Sequence, residues 1–108
     1  MYKYLLLIPV LALMCSCGEY NKVLKSRDVD YKFDYAKRAF DQRKFTQAAT
    51  VLSDLIVPLR GGPKGEEALF LLGMSYFENK DYMNSGVNFK TYYSRYPKGR
   101  YAELARFY

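Results

Sequence analysis

Two stretches, YAKRAFDQRKFTQAATVLSDLI at residues 35–56 and LGMSYFENKDYMNSGVNFKTYY at residues 72–93, align without a gap at an offset of 37 residues. Ala36 falls on Gly73, Phe40 on Phe77, Phe45 on Tyr82, Ala48 on Ser85, Leu52 on Phe89 and Leu55 on Tyr92. Six pairs at one offset mark a repeat, and a period of this length is that of stacked supersecondary units. Within each copy the apolar spacing is helical. Leu69, Leu72, Gly73 and Tyr76 fall at i, i+3, i+4 and i+7, and Ala48, Val51, Leu52, Leu55 and Ile56 form a similar stripe. Strand-like alternation is absent, so the chain is expected to be all-α. An ordinary helical bundle with two similar hairpins would be all-α as well.

Breakers divide the pattern. Thr46 is placed to cap a helix, Pro58 and RGGP at 60–63 stop one helix, and YPKG at 96–99 stops another. The expected units are residues 30–59, residues 64–97, and a third that opens at 99 with GRYAELARFY. A stacked array normally wants three or more units, so a third unit of ten residues leads us to expect a longer protein. Small side chains at Ala36, Ala48, Gly73 and Ser85 would let paired helices approach closely, while Phe40, Phe45, Phe77, Tyr82 and Phe89 fill the space around that contact, and Leu52 and Tyr76 are expected to pack within the repeat as well. Pro97 closes the second unit.

Upstream, MYKYLLLIPVLALMCSC at residues 1–17 combines Lys3, an apolar run from Tyr4 to Met14 and small residues. That run is too short for a membrane span, which needs about 20 residues. The layout is that of a secretory signal peptide. Cys15 and Cys17, the only cysteines, are too close in sequence to form an easy bridge, and without histidine or a third cysteine they make no structural zinc site. Cleavage after Ser16 would leave Cys17 at the new N-terminus, in an arrangement that resembles the lipobox of bacterial lipoproteins. Met14 and Cys15 depart from its commonest residues. The plainer reading of Cys17 as an unpaired cysteine leaves the charge, the run length and the cysteine unconnected. Residues 1–16 are therefore expected to be a signal peptide, and residues 17–29 a flexible lipidated tether. An acylated Cys17 would hold the protein on a membrane without crossing it, at about 0.8 kcal/mol per buried methylene.

Composition limits the function. The net charge is +6, or +5 without Lys3, and the basic residues form no single run, which argues against nucleic acid and for mild attraction to anionic lipid or an acidic partner. No catalytic constellation, metal site or cofactor motif is present. Glu66, Glu67 and Asp54 read as solvated helix faces, and RGGPKG, lacking the Lys-Ser/Thr pair of a phosphate loop, reads as a connection. No enzymatic activity is expected. A hairpin stack offers a groove lined by the first helix of each pair. Phe33, Lys37 and Phe40, with Phe70, Met74 and Phe77 in the next unit, are the expected peptide-groove residues: rings and Met for apolar side chains, the ammonium for a carboxylate.

Leu72-Gly73, Tyr76, Tyr82, Ser85, Phe89 and Pro97 resemble the tetratricopeptide motif. The connection between the two units is about three residues longer than that motif's standard, and the first unit lacks a closing Tyr-Pro. Together with the lipobox and the tyrosine-rich helices ending in YYSRYP, the chain resembles the N-terminal part of the BamD family of outer-membrane lipoproteins. That resemblance implies a non-enzymatic scaffold of the β-barrel assembly machinery, lipid-anchored on the periplasmic face of the outer membrane. It also implies binding to a BamA-type barrel assembly protein and to C-terminal segments of unfolded barrel proteins. Two alternatives stand beside it: a glycan-capturing SusD-like surface lipoprotein, and a repeat region accessory to a cell-wall enzyme.

Overall fold

The computed structural model describes residues 18–108, so the stretch expected to be a signal peptide and Cys17 lie outside the described residues. Among the described residues the fold is all-helical, with no strand. A helix at residues 18–25 (α1) is followed by α2 (Val29–Asp41), α3 (Phe45–Leu55), α4 (Pro63–Glu78), α5 (Tyr82–Arg95) and α6 (Ala102–Phe107). From α2 onward each helix packs mainly on the next in the chain, with a lighter contact between α2 and α4.

The 37-residue offset reappears in atomic detail at the two hairpin turns. Between α2 and α3, the N–H of Arg43 donates to the carbonyl of Phe40 (3.0 Å) and that of Lys44 to the carbonyl of Ala39 (2.8 Å). Between α4 and α5, Lys80 donates to Phe77 (2.9 Å) and Asp81 to Tyr76 (2.9 Å). Both are the paired bonds of a Schellman ending, in which the orphan carbonyls of a helix terminus are capped by a residue of left-handed conformation. Glycine usually takes that position; here Arg43 (φ 62°) and Lys80 (φ 63°) do. Edge-to-face rings repeat as well, with Phe40 on Phe45 (5.3 Å) and Phe77 on Tyr82 (5.5 Å).

The helix crossings match in position but not in chemistry. In the first pair Ala36, Ala48 and Leu52 are fully buried. In the second, the absent side chain of Gly73 leaves room for the Phe89 ring, which a Cβ there would meet at 2.7 Å, and the Ser85 hydroxyl donates to the Gly73 carbonyl (3.0 Å). The core accordingly divides into an aliphatic cluster around Ala36, Leu52 and Leu72 and an aromatic one around Phe70, Phe89 and Tyr92.

Two sequence expectations are corrected. Residues 18–25 are helical and packed: Val23 is fully buried, Tyr20 stacks on Tyr35 (6.2 Å), and Arg38 pairs with Glu19 (2.9 Å). Tyr20, Val23 and Leu24, at i, i+3 and i+4, make a short apolar stripe that suffices to dock this segment on the core. The N-cap of α3 is Lys44, not Thr46, because the Schellman turn lets the helix start two positions earlier; the Thr46 hydroxyl instead accepts from Asn79 Nδ2 (3.0 Å) in the second hairpin.

Candidate functional site

The residues expected to line a peptide groove are mostly committed elsewhere. Phe33 and Phe70 are 4% and 8% exposed, Phe33 in the aliphatic core and Phe70 stacked face to face on Tyr101 (4.4 Å). Both are corrected to interior packing residues. Lys37 pairs with Glu67 (3.2 Å) and lies over the Phe33 ring, so its ammonium is already satisfied. Phe40 is half-buried against Phe45, Phe77 packs between Tyr82 and Tyr108, and Met74 is half-buried on the aromatic cluster. No continuous groove of exposed rings joins them. The periodicity placed these six residues at equivalent positions; it did not say which way each position faces.

An open cleft of about 710 Å³ does exist, between α3 and the α4–α5 turn. Ala49 and Tyr76 line it beside a polar set: Thr46, Thr50, Ser53 and Asp54 from α3, with Asn79 and Asp81 from the turn. Thr46, Thr50, Ser53 and Asp54 lie at i, i+4, i+7 and i+8, one polar stripe of α3, and this spacing is the sequence signal that could have found the cleft. The Thr50 and Ser53 hydroxyls donate to carbonyls one turn back, at 2.9 and 2.7 Å, which leaves their oxygen lone pairs facing outward as acceptors. Asp54 is balanced by the largely buried Lys32 (3.3 Å), and Asp81 caps α5 by accepting from Asn84. Such a wall offers mixed donors and acceptors around an aromatic ring, and both of its carboxylates are engaged, Asp54 by Lys32 and Asp81 as the cap of α5. It suits an extended polypeptide backbone better than an ion.

A second polar arrangement closes the junction into α6. The Tyr92 hydroxyl donates to Glu66 Oε1 (2.6 Å) and accepts from the N–H of Tyr101 (2.9 Å), while the N–H of Arg100 donates to the same carboxylate oxygen (2.7 Å). Burial, followed by the neighbouring carboxylate, pushes the Tyr92 phenol well above its ordinary range. Gly99 is required here, since a Cβ would collide with Glu66 and approach the Tyr92 oxygen at 2.8 Å. Glu66, expected to be a solvated surface residue, is therefore corrected to a structural acceptor that fixes where α6 begins.

Among the described residues no group of His, Cys, Asp and Glu is arranged to hold a metal, and no helix is long and apolar enough to cross a membrane. Comparisons with protein-family models, with curated proteins and with solved structures each find no match.

Proposed function

We propose that this protein is a non-enzymatic scaffold lipoprotein that resembles the BamD family, with α2–α3 and α4–α5 acting as tetratricopeptide-like units. On this reading Cys17 carries the lipid and the chain stands on the periplasmic face of the outer membrane. A BamA-type partner and the C-terminal segments of unfolded barrel proteins are its ligands. The observation that carries the reading is the reiterated hairpin, with its two Schellman turns 37 residues apart. Repeated hairpins build extended faces for binding other chains. Support for the anchor comes from the basic start, short apolar run and Ser16-Cys17 of the leader.

The client surface is reassigned from the buried rings to the α3/α4 cleft. Thr46, Thr50, Ser53 and Asn79 can exchange hydrogen bonds with main-chain groups of an extended segment, and Tyr76 gives its side chains a ring to rest on. Main-chain recognition tolerates many client sequences. Two measurements test this. A Cys17→Ser variant should lose fatty-acid labelling and membrane fractionation, and retention of both would overturn the anchor. A photo-reactive side chain at Thr50 should crosslink to a barrel protein's C-terminal peptide far more than one at the exposed Lys22; equal yields would overturn the cleft assignment.

A further inference from the structure

The charge of this chain is unevenly placed. Residues 90–108 hold five cations (Lys90, Arg95, Lys98, Arg100 and Arg106) against one carboxylate (Glu103), a net +4 of the chain's +6. Among the described residues every ion pair joins positions between 19 and 78, so none of these five cations has a carboxylate partner. They are held differently. Arg100 lies over the Tyr101 ring (5.6 Å) and Arg106 over the Tyr93 ring (5.7 Å), contacts that fix a guanidinium while leaving its N–H groups to point outward. Lys98, Arg100, Glu103, Leu104 and Arg106 line a depression of about 400 Å³ beside α6.

We propose that this corner docks an acidic segment of a partner protein, its carboxylates on Lys98, Arg100 and Arg106. Charge complementarity selects the occupant: three cations without a carboxylate partner, against the single carboxylate of Glu103, line one depression and match a segment rich in carboxylates. Shape and rigidity favour a protein over a lipid surface. The cations ring a depression into which a side chain can enter, whereas a bilayer plane meets only what projects. Guanidinium planes held on tyrosine rings are ready for bidentate carboxylate contacts, which a fluid headgroup layer does not need. The network of Glu66 and Tyr92 anchors the backbone of Arg100 and Tyr101, so the corner is preorganised. This site is separate from the α3/α4 cleft and does not rest on it.

The test uses the full chain and a fluorescent synthetic peptide of alternating glutamate and leucine, with a lysine–leucine peptide and phosphatidylglycerol vesicles as comparison arms. The acidic peptide should bind and the basic one should not, and affinity should fall as salt rises. Lys98→Glu, in the exposed turn before α6, should weaken binding severalfold, and the triple variant with Arg100→Glu and Arg106→Glu by about tenfold or more. A paired reversal in α1, Lys22→Glu with Lys25→Glu, should leave it unchanged. A thermal melt of Lys98→Glu that matches the parent separates lost docking from lost folding. Equal loss in the α1 variant, undiminished binding by the triple variant, or binding to the vesicles with none to the acidic peptide would overturn the proposal.

Discussion

The turns inside the two hairpins are copies of each other, but the junctions that lead out of them are not. At residues 42–44 and 79–81 the same hydrogen bonds, the same left-handed position and the same ring pair recur. Leaving α3, by contrast, the chain crosses a loop in which Gly61 takes φ 92°, and Gly65 in the first turn of α4 lies so close to the backbone of Leu59 that no Cβ would fit. Leaving α5, it is caught within a few residues by Glu66, Tyr92 and the N–H groups of Arg100 and Tyr101. The positions equivalent to Glu66 and Tyr92 in the first unit are Val29 and Leu55, which cannot form that network. Local chemistry thus repeats where the chain must reverse within three residues, and diverges where one unit is set against the next.

Breaking the crossing should cost most. Phe89→Ala empties the centre of the aromatic cluster and is expected to destabilise the fold by about 3–5 kcal/mol, and Leu52→Ala at the equivalent position by about 2–5 kcal/mol, read from denaturant unfolding. If Phe89→Ala cost less than about 1 kcal/mol, the ring would not be packed as described.

Gly73→Ala should cost about 1–3 kcal/mol, because the new methyl meets a buried Phe89 ring that has little room to move. Adding Phe89→Leu recreates the Ala36 and Leu52 combination of the first unit. The double variant should therefore recover part of the loss, with a coupling of about 0.5–3 kcal/mol in a double-mutant cycle. Strict additivity would show that the two crossings are not equivalent.

At the second junction, Tyr92→Phe removes the hydroxyl that donates to Glu66 and accepts from the N–H of Tyr101, at about 1–3 kcal/mol, and leaves only the Arg100 N–H on that carboxylate. The Tyr92 phenol titrates higher in the folded than in the unfolded chain, where its pKa is about 10. Above that pH the unfolded state loses a proton that the folded state keeps, so this contribution is complete below about pH 10 and is lost as pH rises beyond it. The parent's stability should fall in alkali more steeply than that of Tyr92→Phe; parallel curves would contradict the assignment.

The smallest effects sharpen the likeness of the hairpins. Asp81→Ala removes the side-chain cap of α5 and should cost about 1 kcal/mol, while Lys44, its equivalent, makes no such cap bond. Gly86 stands where the first unit has Ala49, with nothing within 4 Å of an added Cβ, so Gly86→Ala should stabilise by about 0.5–1 kcal/mol. Thermal melts resolve both.

Helix positions and the repeat were legible because a 37-residue self-match needs only local patterns. The offset links Phe33 to Phe70 equally well whether the pair lines a groove or fills a core, and the structure buries both. α1 was missed because three apolar residues, Tyr20, Val23 and Leu24, are a faint signal among charges, and its burial depends on a partner surface on α2. The Glu66 network could not be read at all. Its members lie 26 and 34 positions from Glu66, and no short motif announces a carboxylate that waits for a distant phenol and a distant backbone N–H.

The most direct test of the duplicated hairpin is backbone NMR of the full chain, taking φ at residues 43 and 80 from three-bond couplings and chemical shifts. Positive φ at both Arg43 and Lys80, with slowed amide exchange at Lys44 and Asp81, is the expected result. Negative φ at either residue, or helix running unbroken through one of the two turns, would contradict the account.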